Sequence, residues 1–307
     1  MLIGRCVCLP RDVGLHTPTA MRARAMLGVQ RADAGHGVGS RITAMRSHAP
    51  LVLRPTLPKG AEPLVRGAAT AARVSLAAGA AGPLGGDEYS LDVHVERGGT
   101  LVLNDVSATL VLPGVHGGRS RMRISIRVDD DATLIWLPEP IIAARGCDHV
   151  HEVHVELATR ARFLMREEVL LGRLREPSGR ISQRTSVLRD GHPLYVQRLD
   201  LGGDSLAPHT AAVIGGRRCL GNVLAVDPDW DETRPPARLL GDAGTISALA
   251  GPAMVIAALA DDTRTLRRML DAGLCALGDR WSPSPTEPAH GHPPAGTENT
   301  NRMESMS

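Results

Sequence analysis

Two carboxylate-bearing stretches offer this chain its clearest chemistry. The run Leu134-Ile135-Trp136-Leu137-Pro138-Glu139-Pro140 leaves an apolar strand through a proline-bounded corner that carries Glu139. The stretch from Ala161 to Arg173 is a second apolar strand, broken by Glu167-Glu168 and ended by Gly172-Arg173. Carboxylates placed where strands end can meet a cation or a basic partner. Glu139 and Glu167 can also be read as the acid and base of a glycosidase, or as salt-bridge partners for the many arginines. Sugar clefts usually add aromatic platforms, and at 2% aromatic residues, with Phe163 the only Phe, this chain has few to offer.

Between the two stretches lies Asp148-His149-Val150-His151-Glu152-Val153-His154-Val155-Glu156. On a strand, His149 and His151 share one face, and Glu152, His154 and Glu156 share the other. Imidazole with carboxylate suits nickel or zinc. The plainer reading is a polar strand face turned to water. Cys6-Val7-Cys8 and His290-Gly291-His292, near the chain ends, are further pairs of metal-binding type.

Other catalytic signatures are missing. There is no Gly-x-Ser-x-Gly elbow, no His-Glu-x-x-His and no Cys-x-x-Cys. The only lysine, Lys59, sits in Leu57-Pro58-Lys59-Gly60-Ala61-Glu62, which lacks the P-loop frame. Gly35-His36-Gly37-Val38-Gly39-Ser40 is glycine-rich, but Ser40 leads into a strand-like stretch where a dinucleotide fingerprint needs a helix. It reads as a domain-entry loop. With 35 basic and 33 acidic residues the net charge is +2, so nothing argues for nucleic acid. The five cysteines (Cys6, Cys8, Cys147, Cys219, Cys275) are odd in number and scattered, which argues for a reducing compartment over a disulfide framework. No apolar run is long enough to span a membrane, and the apolar start is too short for a signal peptide. A cytoplasmic protein without a membrane or nucleic-acid partner is expected.

Elements that position these residues can be read from periodicity. Met122, Ile124, Ile126 and Val128 alternate with polar residues, as do Leu91, Val93 and Val95, and Gly- or Asp-rich clusters separate such runs. A repeat of about 30 residues aligns Leu91–Leu101 with Ile124–Leu134 and with Val153–Phe163. Strand-and-turn repeats predict stacked β-layers, a β-solenoid-like body. Residues 1–34 read as a loosely ordered extension in which Met21 to Val29 can form a short helix. Thr245 to Leu259 is Ala-rich and helix-like apart from Gly251-Pro252. A helix is predicted over Thr263 to Leu277, capped by Asp262 or Thr263, with Leu266, Met269, Leu270 and Leu274 at helical spacing. The Pro-, Ser- and Thr-rich residues 281–307 read as a disordered tail. The expected class is mainly β, with a main domain over 35–280 and a small helical C-terminal appendix.

The order of several short motifs over Gly37 to Gly278 resembles the urease accessory protein UreD (UreH) family. These are Arg41-Ile42-Thr43, Pro50 to Pro55, Gly82-Pro83-Leu84-Gly85-Gly86-Asp87, Thr133 to Pro140, Glu167 to Arg173, and Asp190-Gly191-His192-Pro193-Leu194 with Arg198. The chain departs at Asn104 to Leu110, where Leu110 stands in place of the family's lysine. The resemblance implies a non-catalytic maturation factor, a scaffold for nickel insertion that binds apo-urease and UreF, and through UreF the GTPase UreG. No tightly bound cofactor is implied, only nickel in transit. Asp87, Glu139 and Glu167 match the acidic positions implied for the metal route. Arg173 and the stripe Leu266, Leu270, Leu274 are the expected partner contacts. The alternative class is a β-solenoid carbohydrate-active enzyme or binding module.

Overall fold

Strands that alternate apolar and polar residues bury one face each, so two sheets must close over one another to make a core. The computed structural model describes residues 20–282 apart from 35–36, 59–61, 66–70, 116, 204–212 and 232. Its strands are β1 (Arg22–Ala34), β2 (Gly37–Arg46), β3 (Leu51–Pro55), β4 (Ala72–Ala78), β5 (Glu88–Val95), β6 (Thr100–Asp105), β7 (Thr109–Val111), β8 (Ser120–Val128) and β9 (Thr133–Leu137). They continue with β10 (Ile141–Ala143), β11 (Asp148–Leu157), β12 (Arg162–Leu171), β13 (Arg180–Arg189), β14 (His192–Leu201), β15 (Cys219–Val226), β16 (Arg238–Leu239), β17 (Gly244–Ala248) and β18 (Ala253–Ala260). One helix follows, α1 (Thr263–Cys275).

The first sheet has the order β14-β13-β11-β8-β5-β1-β2, and the second β16-β17-β18-β15-β12-β9-β6-β4-β3, with β10 joining β12 to β7. After β5, β8 and β11 the chain turns and crosses to the other sheet as β6, β9 and β12. Each coil therefore lays a parallel strand on the previous one. Leu91 pairs with Ile124 and Ile124 with Val153, while Leu101 pairs with Leu134 and Leu134 with Phe163. These are the positions the internal repeat aligns, so the solenoid-like layers hold to the residue. All six side chains lie at 3% exposure or less in the core between the sheets.

The N-terminal and C-terminal expectations need correction. Met21 to Val29 is no helix. Residues 22–34 form β1, which lies between β2 and β5 and buries Ala23, Ala25, Leu27 and Val29. The domain therefore begins before residue 35, and only residues 1–19 of the expected extension lie outside the described ones. Ala, Arg and Met favour helix intrinsically, but the open edge of β5 offers a full ladder of hydrogen bonds, and tertiary pairing wins. Thr245 to Leu259 is likewise a hairpin, β17 with β18, turned at Gly251-Pro252.

The predicted helix is present, and Asp262 caps it by accepting from the Thr265 N–H at 2.8 Å. It is no free appendix. Leu266, Leu270 and Leu274 are fully buried with Ile256 and Val223 of the sheet. Gly221 leaves room for that packing, since a Cβ there would sit 2.9 Å from a Leu270 methyl. The apolar stripe expected to receive a partner is used by the chain's own sheet. Trp281 stacks on Trp230 at 4.9 Å and is buried, so the folded domain extends past residue 280. Residues 283–307, with His290 and His292, and residues 1–19, with Cys6 and Cys8, lie outside the described part. No helix among the described residues is long and apolar enough to cross a membrane.

Candidate functional site

β12 is buried along nearly its whole length because it is covered on both sides. Period two sends Phe163, Met165, Glu167 and Val169 toward the first sheet and Leu164, Arg166 and Glu168 toward α1. Adjacent glutamates therefore enter different environments.

Glu167 points into the core, 7% exposed, where its carboxylate accepts from Thr185 Oγ1 at 3.0 and 3.2 Å. Burial raises its pKa to about 7, the Thr185 hydrogen bond opposing. Around it lies a polar seam. Asn222 is its partner in register on β15, and donates to Tyr195 Oη and Gln197 Oε1 at 3.1 and 2.9 Å. Asn222 Oδ1 and Gln183 Nε2 remain buried without hydrogen-bond partners. Two cavities, of about 100 and 460 Å³, meet here, since Glu167 and Gln183 line both. The first runs past His149 and His151 to Asp105 and Glu139, and the second past Gln197 and Asn222 to the β17 strand.

Glu139 sits at the edge of the first cavity and is held from α1. Arg267 reaches its two oxygens at 3.3 and 3.0 Å and donates to Glu168 Oε1 at 3.1 Å. Arg166 contacts Glu168 at 2.8 Å and Asp271 at 3.6 Å. The salt-bridge reading of Glu139 thus holds alongside its position on the cavity. Asp105, at the end of β6, is raised to about 7 by burial, with the charge of Glu139 adding to it and a hydrogen bond from the Glu139 backbone opposing.

Asp87 does not line either cavity. It accepts from the Met21 and Leu84 N–H groups at 2.8 and 2.9 Å and from Tyr89 Oη at 2.7 Å. This carboxylate ties the Gly-Gly-Asp turn to the start of β1, behind the Tyr89 that lines the first cavity. Asp87→Ala would orphan three donors, and is expected to cost about 3 kcal/mol in a urea unfolding titration. Arg173 is exposed and clamps Glu176 at 2.8 and 2.9 Å, beside a Gly172 whose φ of +75° and crowding admit no side chain.

The histidine strand alternates as expected, but the His149–His151 face is turned inward. Their exposures are 1% and 9%, and burial lowers their pKa values to about 3 and about 4. The Glu152 face is the solvated one, where Glu152 meets Arg121, Arg123 and Arg184. Among the described residues, no group of three or more His, Cys, Asp or Glu is arranged to hold a metal ion.

The profile of the family described as UreD urease accessory protein matches residues 21–289. The chain belongs to that family. The Urease accessory protein UreD of Streptomyces coelicolor is 36% identical over 262 residues, covering 85% of this chain and 99% of the relative. That of Frankia alni is 38% identical, covering 83% and 92%. Urease accessory protein UreD 2 of Saccharopolyspora erythraea is 35% identical, covering 84% and 86%. In this chain, sequence reasoning found Glu139 and Glu167 but missed Asp105, Gln183 and Asn222 beside them. A signal for Asp105 was available, because the repeat pairs Asn104 with Leu137 and so sets Asp105 next to the Pro138-Glu139 corner. Asn222 carries no such signal, since β15 pairs antiparallel and belongs to no repeat.

Proposed function

We propose that this protein is a non-catalytic cytoplasmic scaffold for nickel insertion into apo-urease, bridging urease to UreF and, through UreF, to UreG. The supporting observation, beside family membership, is Glu167: a buried ionisable carboxylate at the junction of two cavities, held by the Thr185 hydroxyl and by no basic side chain. Burying a carboxylate without a charged partner opposes folding, so its retention there speaks for work on a cation. Nickel is cargo in this reading. It would pass along Asp105, Glu139 and Glu167, oxygen ligands that bind weakly enough to release the ion. The exposed Arg173 at the end of β12 remains a proposed partner contact. Glu139 is already bridged by Arg267, which does not suit a free glycosidase acid.

Co-expression of urease subunits with UreF and UreG, with and without this chain, tests the proposal. A complex containing the chain, and nickel-poor urease when it is omitted, are expected. Equal nickel content in both preparations would overturn it. The purified chain should hydrolyse neither nucleotide nor glycan above a Glu139→Ala control.

A further inference from the structure

His149 and His151 are spare groups in this core. Two apolar residues would pack as well and avoid desolvating two rings. Their placement follows from the His-x-His spacing on β11, which turns both rings to one face, and both line the cavity that reaches Glu167. The centres of the two rings are 6.2 Å apart.

Ser120 anchors the His149 ring at Nδ1, which leaves Nε2 as the nitrogen free to face the cavity. Ser120 Oγ donates to the Asp148 carbonyl at 3.5 Å and lies 2.9 Å from His149 Nδ1. In the tautomer protonated at Nδ1, the ring donates to this hydroxyl, which turns its own proton to the carbonyl. Nε2 of His149 then keeps its lone pair. An imidazole whose far nitrogen donates to an oxygen is oriented as metal-binding histidines are. His151 is 9% exposed and forms no hydrogen bond with any described residue. Its neighbour in register is Gln183, whose Nε2 is also unpartnered.

Resting on the delivery reading, we infer that His149 and His151 form a two-imidazole stopping point for a borderline divalent cation, Ni²⁺ in transit, on the way to Glu167. One ion about 2.1 Å from a nitrogen of each ring would bridge them. Neutral imidazole is a preferred ligand for nickel, and no proton need be displaced from Nε2. Two protein ligands, with water completing the shell, make a site that loads and empties, whereas three or four would retain the metal. Ser120 is a positioning residue that anchors the His149 ring at Nδ1.

The test uses the full chain carrying His290→Ala and His292→Ala, so that this pair cannot bind metal, with Ni²⁺ alone as the probe. X-ray absorption at the nickel edge is expected to show about two imidazole nitrogens in an otherwise oxygen shell. Adding His151→Leu should weaken Ni²⁺ binding in equilibrium dialysis at least about tenfold and remove the imidazole signature. Adding Ser120→Ala instead should weaken binding while keeping the signature. An all-oxygen shell in the parent chain overturns the inference and depends on no core variant folding. So does unchanged affinity in a folded His151→Leu chain. Neither readout involves urease, so a silent histidine pair with normal nickel delivery would sink this inference alone. Imidazole-bound nickel, with urease equally loaded in the chain's absence, would sink the delivery reading alone.

Discussion

Glu167→Gln is expected to leave the protein folded and assembled, and more stable than the parent at pH 8, while urease matured with it carries several-fold less nickel. The two effects have one cause. In the fold this carboxyl has a pKa raised from 4.5 to about 7 by burial. A raised carboxyl pKa contributes stability that is complete below pH 4.5 and is lost as pH climbs through 7. The groups around it are Thr185, Gln183, Asn222 and Tyr195, with no basic side chain in hydrogen-bond contact to recover the loss. Glutamine resembles the protonated form and never incurs it. The variant should match the parent in urea midpoint near pH 5 and exceed it at pH 8 by up to about 3 kcal/mol. A neutral amide attracts a divalent ion far less than a carboxylate does, so delivery should fall while stability rises. A mutation that merely damaged the scaffold would lower both. Intact complex with fully loaded urease would leave Glu167 without a role in the route.

Leu270→Ala should be the most damaging single truncation in the C-terminal helix, at about 3–4 kcal/mol. Leu270 is fully buried, and its methyl packs over Gly221, where no side chain can fill the void. The urea midpoint should drop with the slope unchanged. Deletion from Thr263 onward should do more. It removes Leu266, Leu270, Leu274 and Trp281 from the second sheet together, and removes Arg267 from Glu139 and the fully buried Glu168 side chain. Leaving a buried carboxylate short of its partner adds a few kcal/mol to the lost packing. Such a chain should lose its cooperative unfolding transition. Failure to co-purify with UreF would then report an unfolded sheet, so docking is better probed with Arg173→Ala, which touches no core contact beyond its Glu176 clamp. A cooperative transition in the deleted chain would show that the helix is dispensable to the fold.

The amino-acid sequence by itself determined the layered body and much of its register. Leu91, Ile124 and Val153 recur because each coil must set an apolar residue over the one below, and that periodicity is local. It also determined the last helix and its Asp262 cap, for the same reason: capping and i, i+4 spacing are satisfied within one element. The acidic positions Glu139 and Glu167 were legible as residue types at strand ends. Their partners were not. Arg267 is far along the chain from Glu139, and only the packing of α1 on the second sheet brings them together. The same packing consumed Leu266, Leu270 and Leu274, whose spacing is identical whether the stripe faces a partner or the chain's own sheet. Alternation put His149 and His151 on one face of β11, but which face looks inward depends on the sheet opposite, and that is settled only when the two sheets close. β1 shows the limit most plainly. Its helix-favouring residues became a strand because β5, more than 60 positions away in sequence, offered an unpaired edge.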